Sequence, residues 1–309
     1  MSRAAASLTA ALLAAVPAAA EVRYATLRSE ALGRDVSYAI QLPPSYAGGD
    51  RRYPVLHVLH GLFESPAFWD ERGLPRILEE LWTSGEVPEM LVVAADGDNS
   101  FFVNGPLGAY EDLVTRDLPA HVEANYRAER GRAGRALLGI SMGGYAALRI
   151  ALSRPEVYHA VAAHSAMVLQ TIPTAAAGAG RWQMSAFNRA FGEPVDAALW
   201  AASDPLAWAA RADPAKTPAL YFDCGSADRY GLFKGNEELH RRLLARGVAH
   251  EFALRPGDHG YDYVRSALGH SLRFVGRALT SPWPRRRTRA APGTGSGGGP
   301  AGRRASGPP

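Results

Sequence analysis

The chain from Glu21 onward opens with "EVRYATLRSEALGRDVSYAIQLPPSY", in which apolar and polar residues alternate on both sides of Gly33. That two-residue period predicts a hairpin of strands over about 22–28 and 35–42, each with one buried face. The next strands read differently. "YPVLHVLHG" (53–61), "EMLVVAADG" (89–97), "RALLGI" (135–140), "YHAVAAHS" (158–165), "PALYFDCG" (218–225) and "HEFALRPG" (250–257) are apolar almost throughout. Strands of that kind are covered on both faces, as in a mostly parallel sheet. Between them, apolar residues recur at helical spacing over 74–85, 110–126, 143–153, 235–247 and 260–278. Strand and helix alternate, so the expected fold class is α/β: a mostly parallel central sheet with helices on both faces and an antiparallel N-terminal edge. Segment 166–215 interrupts the alternation. It mixes small and polar residues with Trp182, Phe187, Phe191, Trp200 and Trp208, and is expected to be an insertion over the top of the sheet rather than a second domain.

Both ends of the chain stand apart from that pattern. Residues 1–20, "MSRAAASLTAALLAAVPAAA", place Arg3 before an apolar stretch and end in three alanines. This is the layout of a secretory signal peptide, with cleavage expected after Ala20 and a secreted or periplasmic location for the product. From Pro282 to the C-terminus (282–309), Gly, Pro and Arg dominate and little could be buried, which predicts a disordered tail. The catalytic domain is therefore expected over 21–281. The net charge is +4, but the tail contributes six arginines and no acid, leaving the remainder at −2, or −3 without Arg3. The body carries no basic excess, which argues against a nucleic-acid partner. No apolar run beyond the N-terminus is long enough for stable insertion in a membrane. Cys224 is the only cysteine, so an intramolecular disulfide and a multi-thiolate zinc site are excluded; at the end of "ALYFDC" it is expected to be a buried, inert thiol.

The candidate chemistry begins at "LLGISMGGYAALRIAL" (137–152), where Ser141 stands between an apolar strand and a helical pattern. A serine there either caps the helix or is a nucleophile. The spacing Gly139-x-Ser141-x-Gly143 favours the nucleophile, because a sharp strand-to-helix turn lifts the hydroxyl to the sheet edge and leaves no room for side chains two residues away. Such a serine requires a base and an acid, which follow it in the order acid, then histidine. Among His159, His164, His240, His250, His259 and His270, only His259 falls in a loop just past a strand end, between Gly257 and Gly260. For the acid, Asp228 lies in the loop after "YFDCG"; Asp223 lies within the strand and Asp258 adjoins the histidine, so Asp228 is preferred. A developing oxyanion needs two N–H donors. Met142, after the nucleophile, supplies one. Leu62 in "LHGLFESP" is the choice for the other, with its neighbour Phe63 as alternative and His60 steering the loop. Phe63, Phe68, Trp69, Phe101, Phe102 and the aromatics of 182–208 are candidates either for an acyl or aryl pocket or for plain core.

"HGLFESPAFW", "DGDNSFFVN", "YEDLVTRDLPAHVEANY", "GISMGGYAALRIAL", "CGSADRYG" and "GDHGYDYVRSALGHSLRFV", in that order, resemble the esterase D-like branch of the α/β-hydrolases. That branch includes S-formylglutathione hydrolases, tributyrin, feruloyl and acetyl-xylan esterases, and mycolyltransferases. The likeness covers about residues 24–279. It implies an α/β-hydrolase fold, Ser141, Asp228 and His259 as triad, Leu62 and Met142 as oxyanion donors, and no cofactor. Many members carry a tryptophan after the catalytic histidine, where this chain has "HGYDYV". The function expected is an exported serine esterase acting on a small-molecule or glycan-linked ester. Acyl transfer by the same triad, or a catalytically silent binding protein, are the alternatives.

Overall fold

The computed structural model describes residues 21–174, 181–281, 283 and 289–290; the segment read as a signal peptide lies outside the described residues. The strands are β1 (Val22–Ser29), β2 (Arg34–Gln41), β3 (Val55–Leu59), β4 (Leu91–Ala95), β5 (Asn104–Gly105), β6 (Gly108–Ala109), β7 (Arg135–Ile140), β8 (Ala160–His164), β9 (Ala219–Gly225), β10 (Glu251–Arg255) and β11 (Arg289–Ala290). All but β5 and β6 form one sheet in the order β1-β2-β4-β3-β7-β8-β9-β10-β11. The first two strands pair antiparallel, as their alternation predicts, and β2 runs antiparallel to β4. From β4 through β3, β7, β8, β9 and β10 every pairing is parallel. The carboxyl ends of these strands therefore share one edge, where ligands bind in open α/β sheets.

The apolar runs are continuous because each strand feeds two cores. In β7, Leu137 packs into one buried cluster and Leu138 into the other, and Val55 and Leu56 of β3 divide in the same way. Helix α5 (Met142–Ser153) covers the first face. Helices α2 (Leu74–Thr83) and α10 (Tyr261–Thr280) cover the second, with the short α1 (Phe68–Glu71) beside them. The helical pattern over 110–126 is realised as α3 (Tyr110–Asp112), a π turn (Leu113–Asp117) and α4 (Leu118–Asn125). Pro119 has no N–H to donate and its ring crowds the carbonyl four residues back, which accounts for the wider turn just before it.

Segment 166–215 contains α6 (Arg181–Phe191), α7 (Ala197–Ser203) and α8 (Pro205–Ala209), with α9 (Phe233–Ala245) following β9. Phe187, Phe191 and Trp200 are buried against Phe101 and Tyr145, with Phe101 and Phe187 stacked at 5.0 Å. These rings are core on the α5 face; of this segment's described side chains, only Met167 lines the cleft beside Ser141. The tail expectation needs a correction at its start. Trp283 packs edge-on against Phe274 at 4.8 Å, and Arg289–Ala290 pair in parallel with Glu251–Phe252. An indole has apolar surface to bury, and β10 otherwise ends the sheet with an unpaired backbone row. The remainder of the tail lies outside the described residues.

Candidate active site

Ser141 leaves β7 with φ +55° and ψ −109°, a conformation that L residues rarely hold. The strain is held from several sides: its N–H donates to His164 O at 2.9 Å, and its carbonyl accepts from Tyr145 N and Met167 N at 2.9 and 3.0 Å. A Cβ on Gly139 would overlap the Gly143 carbonyl, and one on Gly143 would overlap Leu59 O, so both glycines are required by close backbone approach. The Ser141 hydroxyl makes no capping bond to α5. Its Oγ lies 3.1 Å from His259 Nε2, and His259 Nδ1 lies 2.9 Å from Asp228 Oδ2. Residues 87 and 118 positions after the serine thus meet it at one sheet edge, because β7, β8, β9 and β10 are neighbours.

Asp228 is 4 % exposed. Burial by itself would raise its carboxyl, but the hydrogen bond and charge of His259, with the amides of Tyr230 and Leu232, outweigh that and hold it below the ordinary aspartate value. An ionised carboxylate only accepts, so His259 donates from Nδ1, and its Nε2 is turned to the Ser141 hydroxyl.

The opposite wall is the loop after β3. Phe63 N–H donates to Asn99 Oδ1 at 2.7 Å, with Phe63 at φ +63°. That bond engages the N–H of the alternative donor and leaves Leu62, which lines the cleft, as the candidate. Met142 is the first residue of α5, so its N–H has no acceptor within the helix. His60 steers this loop as expected. Its Nδ1 donates to Gly61 O at 2.7 Å and its Nε2 accepts from Gly97 N at 2.9 Å, a neutral ring whose pKa is pushed down by burial. The cleft between these walls measures about 290 Å³.

The family model described as "Putative esterase" matches residues 29–275. The chain belongs to this esterase family. An endo-1,4-beta-xylanase/feruloyl esterase of Xylanibacter ruminicola is 29 % identical over 147 residues, 44 % of this chain and 20 % of that protein. An S-formylglutathione hydrolase of Paracoccus denitrificans is 26 % identical over 278 residues, 82 % of this chain and 91 % of that protein. Among solved structures, a ferulic acid esterase superposes with a TM-score of 0.72 at 28 % identity, covering 84 % of this chain and 98 % of that one. The chain thus spans about a fifth of the first relative and most of the others. The α/β-hydrolase fold expected from the motifs is the fold of these neighbours.

Several groups around this cleft carry no sequence signal strong enough to single them out. Asp258 takes the N–H groups of His259 and Arg229 at 2.6 and 2.8 Å and pairs with the Arg229 guanidinium. It clips the histidine loop to the aspartate loop, and the Arg229 guanidinium, helped by the two backbone N–H groups, pulls its carboxyl down to about 2. Asn99 belongs to the same class, as a side chain whose partner is a backbone group on another loop. Tyr230 and Tyr261 line the cleft, whereas Phe68, Trp69, Phe101 and Phe102 are core; of the aromatics first considered, only Phe63 lines it among the described side chains. Cys224 is buried as expected, with Sγ 3.6 Å from Asp228 Oδ2, and burial pushes its thiol pKa up.

A second serine–histidine–aspartate set lies beneath the first. His164 Nδ1 is 2.9 Å from Asp223 Oδ1 and its Nε2 is 2.8 Å from Ser271 Oγ; all three side chains are sealed in the core. Tyr221 and Tyr263 also donate to Asp223, at 2.5 and 2.8 Å. No substrate reaches this set, which fastens α10 to the ends of β8 and β9. Among the described residues no group of three or more His, Cys, Asp or Glu is placed to hold a metal ion.

Proposed function

We propose that the protein is a carboxylic ester hydrolase in which Ser141 is the nucleophile, His259 the base and Asp228 the acid that orients it. The observation that carries this reading is the unbroken run from Ser141 Oγ through His259 to Asp228, at 3.1 and 2.9 Å, by a serine that makes no capping bond. Ser141 Oγ attacks the ester carbonyl carbon as its proton passes to His259 Nε2. The carbonyl oxygen becomes an oxyanion facing the N–H groups of Leu62 and Met142. Collapse breaks the bond to the alcohol oxygen, which takes the proton from His259, and leaves an acyl-Ser141 ester. Water, deprotonated by the same imidazole, then releases the acid. Every group required is a protein group, so the reading calls for no cofactor.

The substrate class is a small-molecule or glycan-linked ester, supported by relatives named as feruloyl esterase and S-formylglutathione hydrolase. Export to the periplasm or medium rests on residues 1–20, and N-terminal sequencing of protein from those fractions tests it; Met1 retained on cytosolic protein would refute it. The function itself is tested with folded Ser141→Ala on a panel of p-nitrophenyl, feruloyl and acetyl-sugar esters. Loss of nearly all turnover on every ester is expected. Retention of more than about a tenth of parental kcat, against the far larger losses usual for triad members, would remove Ser141 from the mechanism.

A further inference from the structure

We propose that Glu64 is a positioning residue that locks the oxyanion loop to the histidine loop, so that donor and base are held in one geometry. The inference rests on the reading of Ser141, Leu62 and His259 given above. Glu64 lines the cleft on the loop after β3, with its side chain 12 % exposed. Its Oε2 accepts from Gly61 N at 3.0 Å and from the Tyr261 hydroxyl at 2.6 Å. Gly61 immediately precedes Leu62, and Tyr261 follows His259 by two residues as the first residue of α10. One carboxylate oxygen therefore grips both walls of the site, across 197 positions of sequence. The other oxygen accepts from Arg72 at 3.2 Å, and the Arg72 guanidinium also covers the Tyr261 ring at 4.7 Å.

The arrangement distinguishes positioning from direct chemistry. A bare carboxylate beside a developing oxyanion would oppose it, since like charges in a partly dry cleft repel strongly. Here Arg72 supplies the opposite charge, and Oε2 is already occupied by two donors. Glu64 is close enough to matter: a Cβ built on Gly61 would lie 3.1 Å from Glu64 Oε2 and 3.7 Å from Ser141 Cβ. Tyr261 keeps its proton for this bond, because burial and then the Glu64 charge raise its pKa. Donor placement matters at this scale, since an oxyanion donor contributes only when it sits within hydrogen-bond reach of the oxygen in the transition state.

The test uses the full chain as Glu64→Ala, Glu64→Gln, Tyr261→Phe and the Glu64→Ala/Tyr261→Phe pair. The readouts are kcat and KM on p-nitrophenyl butyrate, affinity for a trifluoromethyl ketone that becomes an oxyanion on Ser141, and melting temperature. Glu64→Ala is expected to lower kcat about 10–100-fold with KM nearly unchanged, and to weaken the ketone in proportion, since a misplaced donor is felt only where the oxyanion forms. Glu64→Gln, whose amide oxygen still accepts, should recover most of the loss. The pair should be no worse than Glu64→Ala alone, because both changes cut the same link. The proposal is overturned if folded Glu64→Ala keeps kcat within about twofold, if KM rises while kcat holds, or if the ketone affinity stays constant while kcat falls. Should Glu64→Ala fail to fold, a folded Tyr261→Phe with unchanged kcat and unchanged ketone affinity overturns it equally. An active Ser141→Ala would sink the functional reading itself; an inactive Ser141→Ala with an unaffected Glu64→Ala would sink this inference alone.

Discussion

Replacing Gly139 with alanine tests the turn that presents Ser141. The new Cβ would overlap the Gly143 carbonyl and lie 2.7 Å from Gly144 N, where ordinary contacts begin at 3.4 Å. The elbow must therefore open by 0.7 Å or more. Neither side yields easily: Gly139 is paired with Leu59 of β3 and Ala163 of β8, and Gly143 N–H donates to His60 O at 3.1 Å. An opening of that size carries the 3.1 Å contact between Ser141 and His259 beyond hydrogen-bond range. A displacement near 1 Å at a reacting group costs about 100-fold in rate. Overpacking of a closed site costs about 1–3 kcal/mol in stability, roughly 2–12 °C in melting temperature at this chain length. The assay is kcat on p-nitrophenyl butyrate well below the midpoint of melting, with circular dichroism as the folding control. If Gly139→Ala keeps more than about a third of parental kcat with unchanged melting, the elbow is not the rigid device that the backbone contacts imply.

Other expectations follow from single contacts. Asn99→Ala removes the acceptor of Phe63 N–H and should lower kcat about tenfold while sparing KM; equal effects on both would point to substrate binding instead. Asp223→Asn replaces the carboxylate acceptor of His164, Tyr221 and Tyr263 with an amide that brings N–H groups of its own, and should cost about 1–3 kcal/mol, read by chemical denaturation, while kcat measured on folded protein changes little. Acid should destabilise the fold in a definite window. Burial lowers both His57 and His250 from 6.5 to about 4, so between those values the unfolded chain binds protons that the fold refuses. Their contribution, of order 3 kcal/mol each, is complete above pH 6.5 and lost as pH falls toward 4, and His57→Phe or His250→Phe should flatten the fall in denaturation midpoint across that range.

The candidate site was unusually legible because its chemistry is written in loops at strand ends. The glycines around Ser141 report a backbone clash that only residues without a Cβ escape, and His259 and Asp228 each stand in the loop directly after a strand. The antiparallel start and the run of parallel strands were legible for a similar reason: alternation marks one-sided burial, and continuous apolar runs mark two-sided burial. The aromatic residues were not legible in this way. Phe101, Phe187 and Trp200 have the same composition as a substrate pocket would, and only their packing on one another and around Tyr145 made them core.

What the chain by itself determined was local: where strands and helices begin, which turn must be sharp, and which serine, aspartate and histidine stand where a sheet edge could gather them. Tertiary structure alone decided which of those groups touch. Glu64 met Tyr261, Asn99 met Phe63 and Asp258 met Arg229 only because strand order brought separate loops side by side. It also made two serine–histidine–aspartate sets from one sequence and left just one of them at a cleft, since His164 and Ser271 are 107 positions apart and face each other only after α10 folds across the sheet. Periodicity and turn chemistry act over a few residues, whereas a hydrogen bond between side chains requires two distant backbones to be placed within about 3 Å, and no local rule sets that distance.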